Sequence, residues 1–181
     1  AGRRERMKIV VLVAIIVLSV AAQATSARVF DLTSANIDLP LVVVVLASLS
    51  GGPIVGLWAG TFAGFLQDVM SGGLVGVSGL AKSLVGVTIG GLATRLMFTG
   101  RWYRLLLIAP ATIMSVVLFV GVYRLISFAV PAVDGVNVLQ QAVFNVAAGF
   151  VAIGVSEQVP ALWSRLRRRR IVLAIQRWRT N

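Results

Sequence analysis

Asp68 and Lys82 are charges set inside long apolar stretches of this chain. An ionisable group within a membrane span is costly unless it is paired or hydrated. Each therefore needs a partner. If the two stretches are helices joined near Ser71-Gly72-Gly73, helical rise puts Asp68 about 4 Å and Lys82 about 12 Å below the outer boundary. A lysine stem climbs several ångströms, so the spacing predicts an intramembrane Asp68–Lys82 ion pair that locks a helix hairpin. A polar site facing a partner protein, or a substrate or ion site, are the other uses open to these charges. Further raw material for catalysis is scarce. The chain has no histidine and no cysteine, which removes imidazole bases, thiol nucleophiles, disulfides and the usual zinc ligands. Its six acids, Glu5, Asp31, Asp38, Asp68, Asp134 and Glu157, show no paired-carboxylate spacing. The glycine-rich turns lack the Gly-Lys-Ser/Thr ending of a phosphate loop. Neither an enzyme, a metal site nor a cofactor is expected.

The stretches that must position these charges are rich in glycine. Gly52, Gly56, Gly60 and Gly64 recur every four residues, and Asp68 is next in the same register. Residues four apart lie above one another on a helix, so this is a stripe without side chains that ends in a carboxylate. Gly79, Ser83, Gly86 and Gly90 give the following segment a small-residue face of its own, with Lys82 beside it. Glycine costs an exposed helix about 1 kcal/mol relative to alanine. In lipid it is repaid by close backbone approach. The stripe either packs this hairpin internally or offers a groove to another protein's single helix, and Gly52, Gly56, Gly60 and Gly64 are the candidate partner-helix residues.

Composition places the hairpin in a membrane. Hydrophobic residues make up 58% of 181, charged residues 13%, and mean hydropathy is +0.93, whereas a soluble domain carries about 25% charge. The apolar residues come in long blocks rather than in the alternation of a β-barrel. The expected fold is all-α, a polytopic membrane helical bundle over residues 1–163. About six transmembrane helices are expected, at residues 8–27, 38–50, 53–70, 74–94, 105–127 and 139–163. The first of these also resembles a cleavable signal peptide, with a basic start and Ala22-Gln23-Ala24 after the apolar run. Residues 39–70 can alternatively be read as one kinked helix, since the run before Ser50-Gly51-Gly52-Pro53 is only about 17 Å long.

Charge parity favours six spans with both termini cytoplasmic. Six spans place Arg3, Arg4, Arg6, Lys8, Arg95, Arg101, Arg104 and the seven arginines from Arg165 onward on one side. That agrees with the positive-inside rule, and five spans do not. Arg124 then reads as an interface anchor at the outer side. The net charge of +11 sits beside apolar spans, which points to anionic lipid headgroups and not to nucleic acid. Residues 164–181 form a basic, amphipathic cytoplasmic tail, in which Arg165, Arg167, Arg168, Arg169, Arg170 and Trp178 are candidate headgroup contacts. An orientation signal alone also suffices for those arginines.

At the hairpin the chain resembles the MreD family, the rod shape-determining membrane proteins of bacteria. The resemblance is carried by Asp38-Leu39-Pro40, the Gly52-Pro53 turn, Gly60 and Gly64-Phe65-Leu66-Gln67-Asp68. It continues through Ser71-Gly72 and Leu74-Val75-Gly76. Length, span count and short external loops are similar too, while the arginine-rich tail is longer than the family pattern. The resemblance implies a non-catalytic part of the cell-elongation machinery in the inner membrane. Its implied partners are an MreC-like single-span protein and, through it, MreB, RodA and a class B penicillin-binding protein of peptidoglycan synthesis. The alternative is a substrate-binding subunit of a vitamin-type membrane transporter. That reading needs Gln140, Gln141, Asn145, Asp134 and Arg124, with Trp58, to line an external pocket.

Overall fold

The structure, a computed structural model, describes residues 2–29, 37–72, 74–96, 100–126 and 134–156. Every regular element among them is helical: α1 (Gly2–Val29), α2 (Leu39–Ser71), α3 (Val77–Leu96), α4 (Arg101–Ile126) and α5 (Gly135–Ser156). All five contain a stretch long and apolar enough to cross a membrane. The chain divides into two compact units, Ala1–Gly149 and Phe150–Asn181, and of the second only the last turns of α5 are described.

Among the described residues five candidate spans stand where six are expected, because the second and third expected spans belong to one element. α2 runs for 33 residues, and Gly52 is its non-helical point, with φ +81° and ψ −172°. Positive φ is strained for residues bearing a Cβ, and Pro53 next in line removes a backbone donor and breaks the helical ladder. The bend is severe. A Cβ built on Gly56 would stand 2.5 Å from Ser48 Oγ, yet eight residues of straight helix span about 12 Å. Val44 also shares a buried cluster with Ala59, Ala63 and Ile16. Residues 39–51 therefore form a first arm that folds back beside the second, 53–71. At 1.5 Å per residue the first arm is about 20 Å long, short of a hydrocarbon core about 30 Å thick.

Local chemistry sets the ends of these elements. Asp38 caps α2, its Oδ1 accepting from the Leu41 N–H at 3.0 Å, and Pro40 occupies the first turn. There a missing N–H costs nothing. Gly72 closes the second arm in the left-handed conformation, φ +69°, and its N–H donates to the Asp68 carbonyl at 3.1 Å. α3 then runs antiparallel to the second arm. α1 lays Ile16 against the cluster formed by both arms, with Leu12 beside it. The fourth and fifth expected spans, 74–94 and 105–127, match α3 and α4 to within a few residues. The last expected span, 139–163, is described only as far as Ser156, and the expected tail, 164–181, lies outside the described residues.

Candidate functional site

Four buried polar side chains from four helical segments meet in one ladder. Lys82 on α3 donates to Asp38 Oδ2 in a salt bridge at the head of the first arm. The Asp38 N–H donates to Asn145 Oδ1 on α5 at 2.8 Å. Asn145 Nδ2 donates in turn to Thr112 Oγ1 on α4 at 3.0 Å. The Thr112 hydroxyl ends the chain by donating to the Ile108 carbonyl at 2.9 Å. None of the four side chains is appreciably exposed: Lys82 is 3% accessible and Asn145 0%. In a low-dielectric interior such groups are costly singly and mutually supporting together. The arrangement ties the first arm of α2 to α3, α4 and α5. Its contacts join one helical segment to the next, with Lys82 and Asp38 offsetting each other's charge.

The expected Asp68–Lys82 pair does not form. Lys82 takes Asp38 because the fold-back at Gly52 brings the head of the first arm beside α3. Asp68, also buried, is already occupied. Its Oδ2 accepts from the Gly76 N–H at 2.7 Å and from the Ser78 N–H at 3.1 Å. Those are orphan donors at the start of α3, so Asp68 fastens the turn that joins the second arm to α3. Sequence reasoning sets Asp38 at the start of the second expected span, 38–50, and gives it no partner. The available signal was its position directly before Leu39-Pro40, a helix-capping pattern.

The glycine stripe is filled from within the chain. A Cβ on Gly56 would fall on the Gly86 carbonyl, on Gly60 on the Lys82 carbonyl, and on Gly64 on the Ser78–Gly79 backbone. Gly90 meets Gly52 and Pro53 in the same way. Backbone lies against backbone along this seam, so Gly56, Gly60 and Gly64 hold α3 and cannot simultaneously seat a partner's helix. Gly52 serves the bend.

The residues of the transport reading scatter. Asn145 is consumed by the ladder, whereas Asp134, Gln140 and Arg124 are exposed and Gln141 is half-buried. Trp58 faces outward from the second arm, 70% exposed. Arg165, Arg167, Arg168, Arg169, Arg170 and Trp178 lie outside the described residues. At the other end of the seam, Arg95 lies in the last turn of α3, and Arg101 and Arg104 lie in the first turn of α4 with the exposed Trp102 between them in sequence.

Compared with known proteins, the chain matches the family model for the rod shape-determining protein MreD over residues 4–155. No curated protein and no solved structure matches it.

Proposed function

The chain belongs to the MreD family of rod shape-determining proteins, and from that premise we propose that it is a non-catalytic scaffold holding the transmembrane helix of an MreC-like partner. The family is one of bacterial cytoplasmic-membrane proteins that serve rod shape determination. Through the MreC-like protein the scaffold connects to MreB filaments inside the cell, and to RodA and a class B penicillin-binding protein that build peptidoglycan.

One observation carries this reading: the buried charges are spent on each other and on the backbone. Lys82 and Asp38 satisfy one another, and Asp68 is held by amides. A protein so arranged has helix faces to offer a partner rather than a reacting group to offer a substrate.

Both termini face the cytoplasm in this proposal. Gly90 abuts Gly52, so the bend of α2 lies near the membrane end that carries Arg95, Arg101 and Arg104. That is the end the positive-inside rule assigns to the cytoplasm. In this proposal α2 passes twice through the membrane region, its short first arm inward and its second arm outward, which gives the even number of passes that the charges favour. The basic tail, with Arg165, Arg167, Arg168, Arg169, Arg170 and Trp178, then adds headgroup contacts with anionic lipid on the same side.

The test is affinity purification of the full-length chain in mild detergent from cells expressing an MreC-family protein. Co-purification at near-stoichiometric yield is expected. Its absence, together with thermal stabilisation by a vitamin, would overturn the scaffold in favour of transport.

A further inference from the structure

Trp58 is in the wrong place for a lipid-facing tryptophan. Gly90 of α3 lies level with Gly52, and Arg95 follows Gly90 by five residues, about 7 Å further toward the headgroups. Trp58 lies six residues beyond Gly52 in the opposite direction, about 9 Å. It is thus about 16 Å from the level of Arg95 and about 20 Å from the Gly72 turn, close to the centre of a core about 30 Å thick. Its side chain is nevertheless 70% exposed. Tryptophan ordinarily sits at the membrane interface, where its N–H finds water or a headgroup. Trp102, exposed beside Arg101 and Arg104, is such a residue.

The indole N–H is a donor and nothing else. Among the described residues it has no hydrogen-bond partner, and acyl chains supply no acceptor. The face around it is continuous. Ile54, Trp58, Thr61, Phe65 and Val69 are all exposed and follow one another at steps of three and four residues. At 100° per residue they lie on the side of the second arm opposite Gly56, Gly60 and Gly64. The Thr61 hydroxyl donates to the Leu57 carbonyl at 2.9 Å and keeps its lone pairs for a visitor. The exposed face of α4, with Leu106, Ile113 and Val117, carries apolar side chains and no side-chain donor.

We infer that the Trp58 face of the second arm is the docking surface for the single transmembrane helix of a partner protein, which presents a hydrogen-bond acceptor (Ser, Thr, Asn or Gln) at mid-membrane. This rests on the scaffold reading and names the face it uses. A second copy of this chain is a poorer occupant. A two-fold axis normal to the membrane sets equal depths together, and Trp58 would meet Trp58, donor against donor.

The chain has no cysteine, so single-cysteine variants of the full-length protein report position cleanly. Thr61→Cys and Phe65→Cys are compared with Ile113→Cys and Val117→Cys in membranes, against an MreC-family protein with one cysteine walked along its span. Oxidation should link positions 61 and 65 at least fivefold more than 113 and 117. Trp58→Phe keeps a ring and deletes the donor, and it should cut co-purified partner about tenfold with an unchanged melting temperature. Links confined to 113 and 117, links between two copies through position 65, or full retention of partner by Trp58→Phe would each overturn the docking face. If wild type co-purifies the partner while 61 and 65 stay unlinked, only the face is wrong. If wild type recovers none, the scaffold reading fails and the face with it.

Discussion

Asp38 and Asp68 are the two buried acids of the same bent hairpin, and they are satisfied in opposite ways. Asp68 draws on its neighbourhood, the N–H groups of Gly76 and Ser78 across the next turn. Asp38 adds to the local Leu41 N–H an ammonium from Lys82, 44 residues away, while its own backbone N–H donates to Asn145, 107 residues away. Backbone donors come with the turn and carry no net charge of their own. An ammonium brings a second desolvation cost, which is offset only if the geometry holds. The first acid therefore closes a loop, and the second makes the placing of four helical segments interdependent.

That contrast orders the consequences of breaking each acid's contacts. Lys82→Met leaves a carboxylate buried without a counter-charge and is expected to cost about 3–5 kcal/mol, read as a lowered unfolding midpoint in detergent. Asp38→Asn in the same chain should recover most of that loss, since the amide still accepts from the Leu41 N–H. A double variant no more stable than the single would show that charge is not what matters there. Asn145→Leu strips the Asp38 N–H of its acceptor and Thr112 of its donor, at about 1–3 kcal/mol. Asp68→Ala should cost about 1–3 kcal/mol, with faster hydrogen exchange confined to Gly76, Ser78 and their neighbours. Exchange spreading to α5 would erase the distinction between the two acids. Asp68→Asn, which keeps an acceptor oxygen, should be the mildest, below about 1 kcal/mol.

Much of the hairpin was legible in the residues. Glycines at four-residue steps make one face of a helix, so the stripe of Gly56, Gly60 and Gly64 follows from periodicity, as does the close approach it permits in lipid, while its register against α3 does not. The apolar blocks located the helices, because the bilayer sets a minimum length that local sequence either meets or misses. What stayed hidden was distance. Asp38 and Lys82 are far apart along the chain, and only the reversal at Gly52 makes them neighbours. The Ser50-Gly51-Gly52-Pro53 stretch announced a break, but its angle depends on whether Gly52 takes positive φ, which glycine permits and does not require. Asp68 was misassigned for a related reason. Two turn amides compete with Lys82 for it, and amides of a glycine-rich turn leave no mark in side-chain spacing. Asn145, grouped by its polarity with Gln140 and Gln141, differs from them only in the face of α5 on which it lies.

The ladder also has an order in time. Ribosomes add on the order of 5–20 residues per second, so Lys82, 44 residues behind Asp38, is synthesised a few seconds after it. Asn145, 107 residues behind, follows only after roughly 5–20 seconds. A nascent chain halted before α5 would hold the ion pair with the Asp38 N–H still lacking its acceptor, and the last helix to emerge is the one that completes the set.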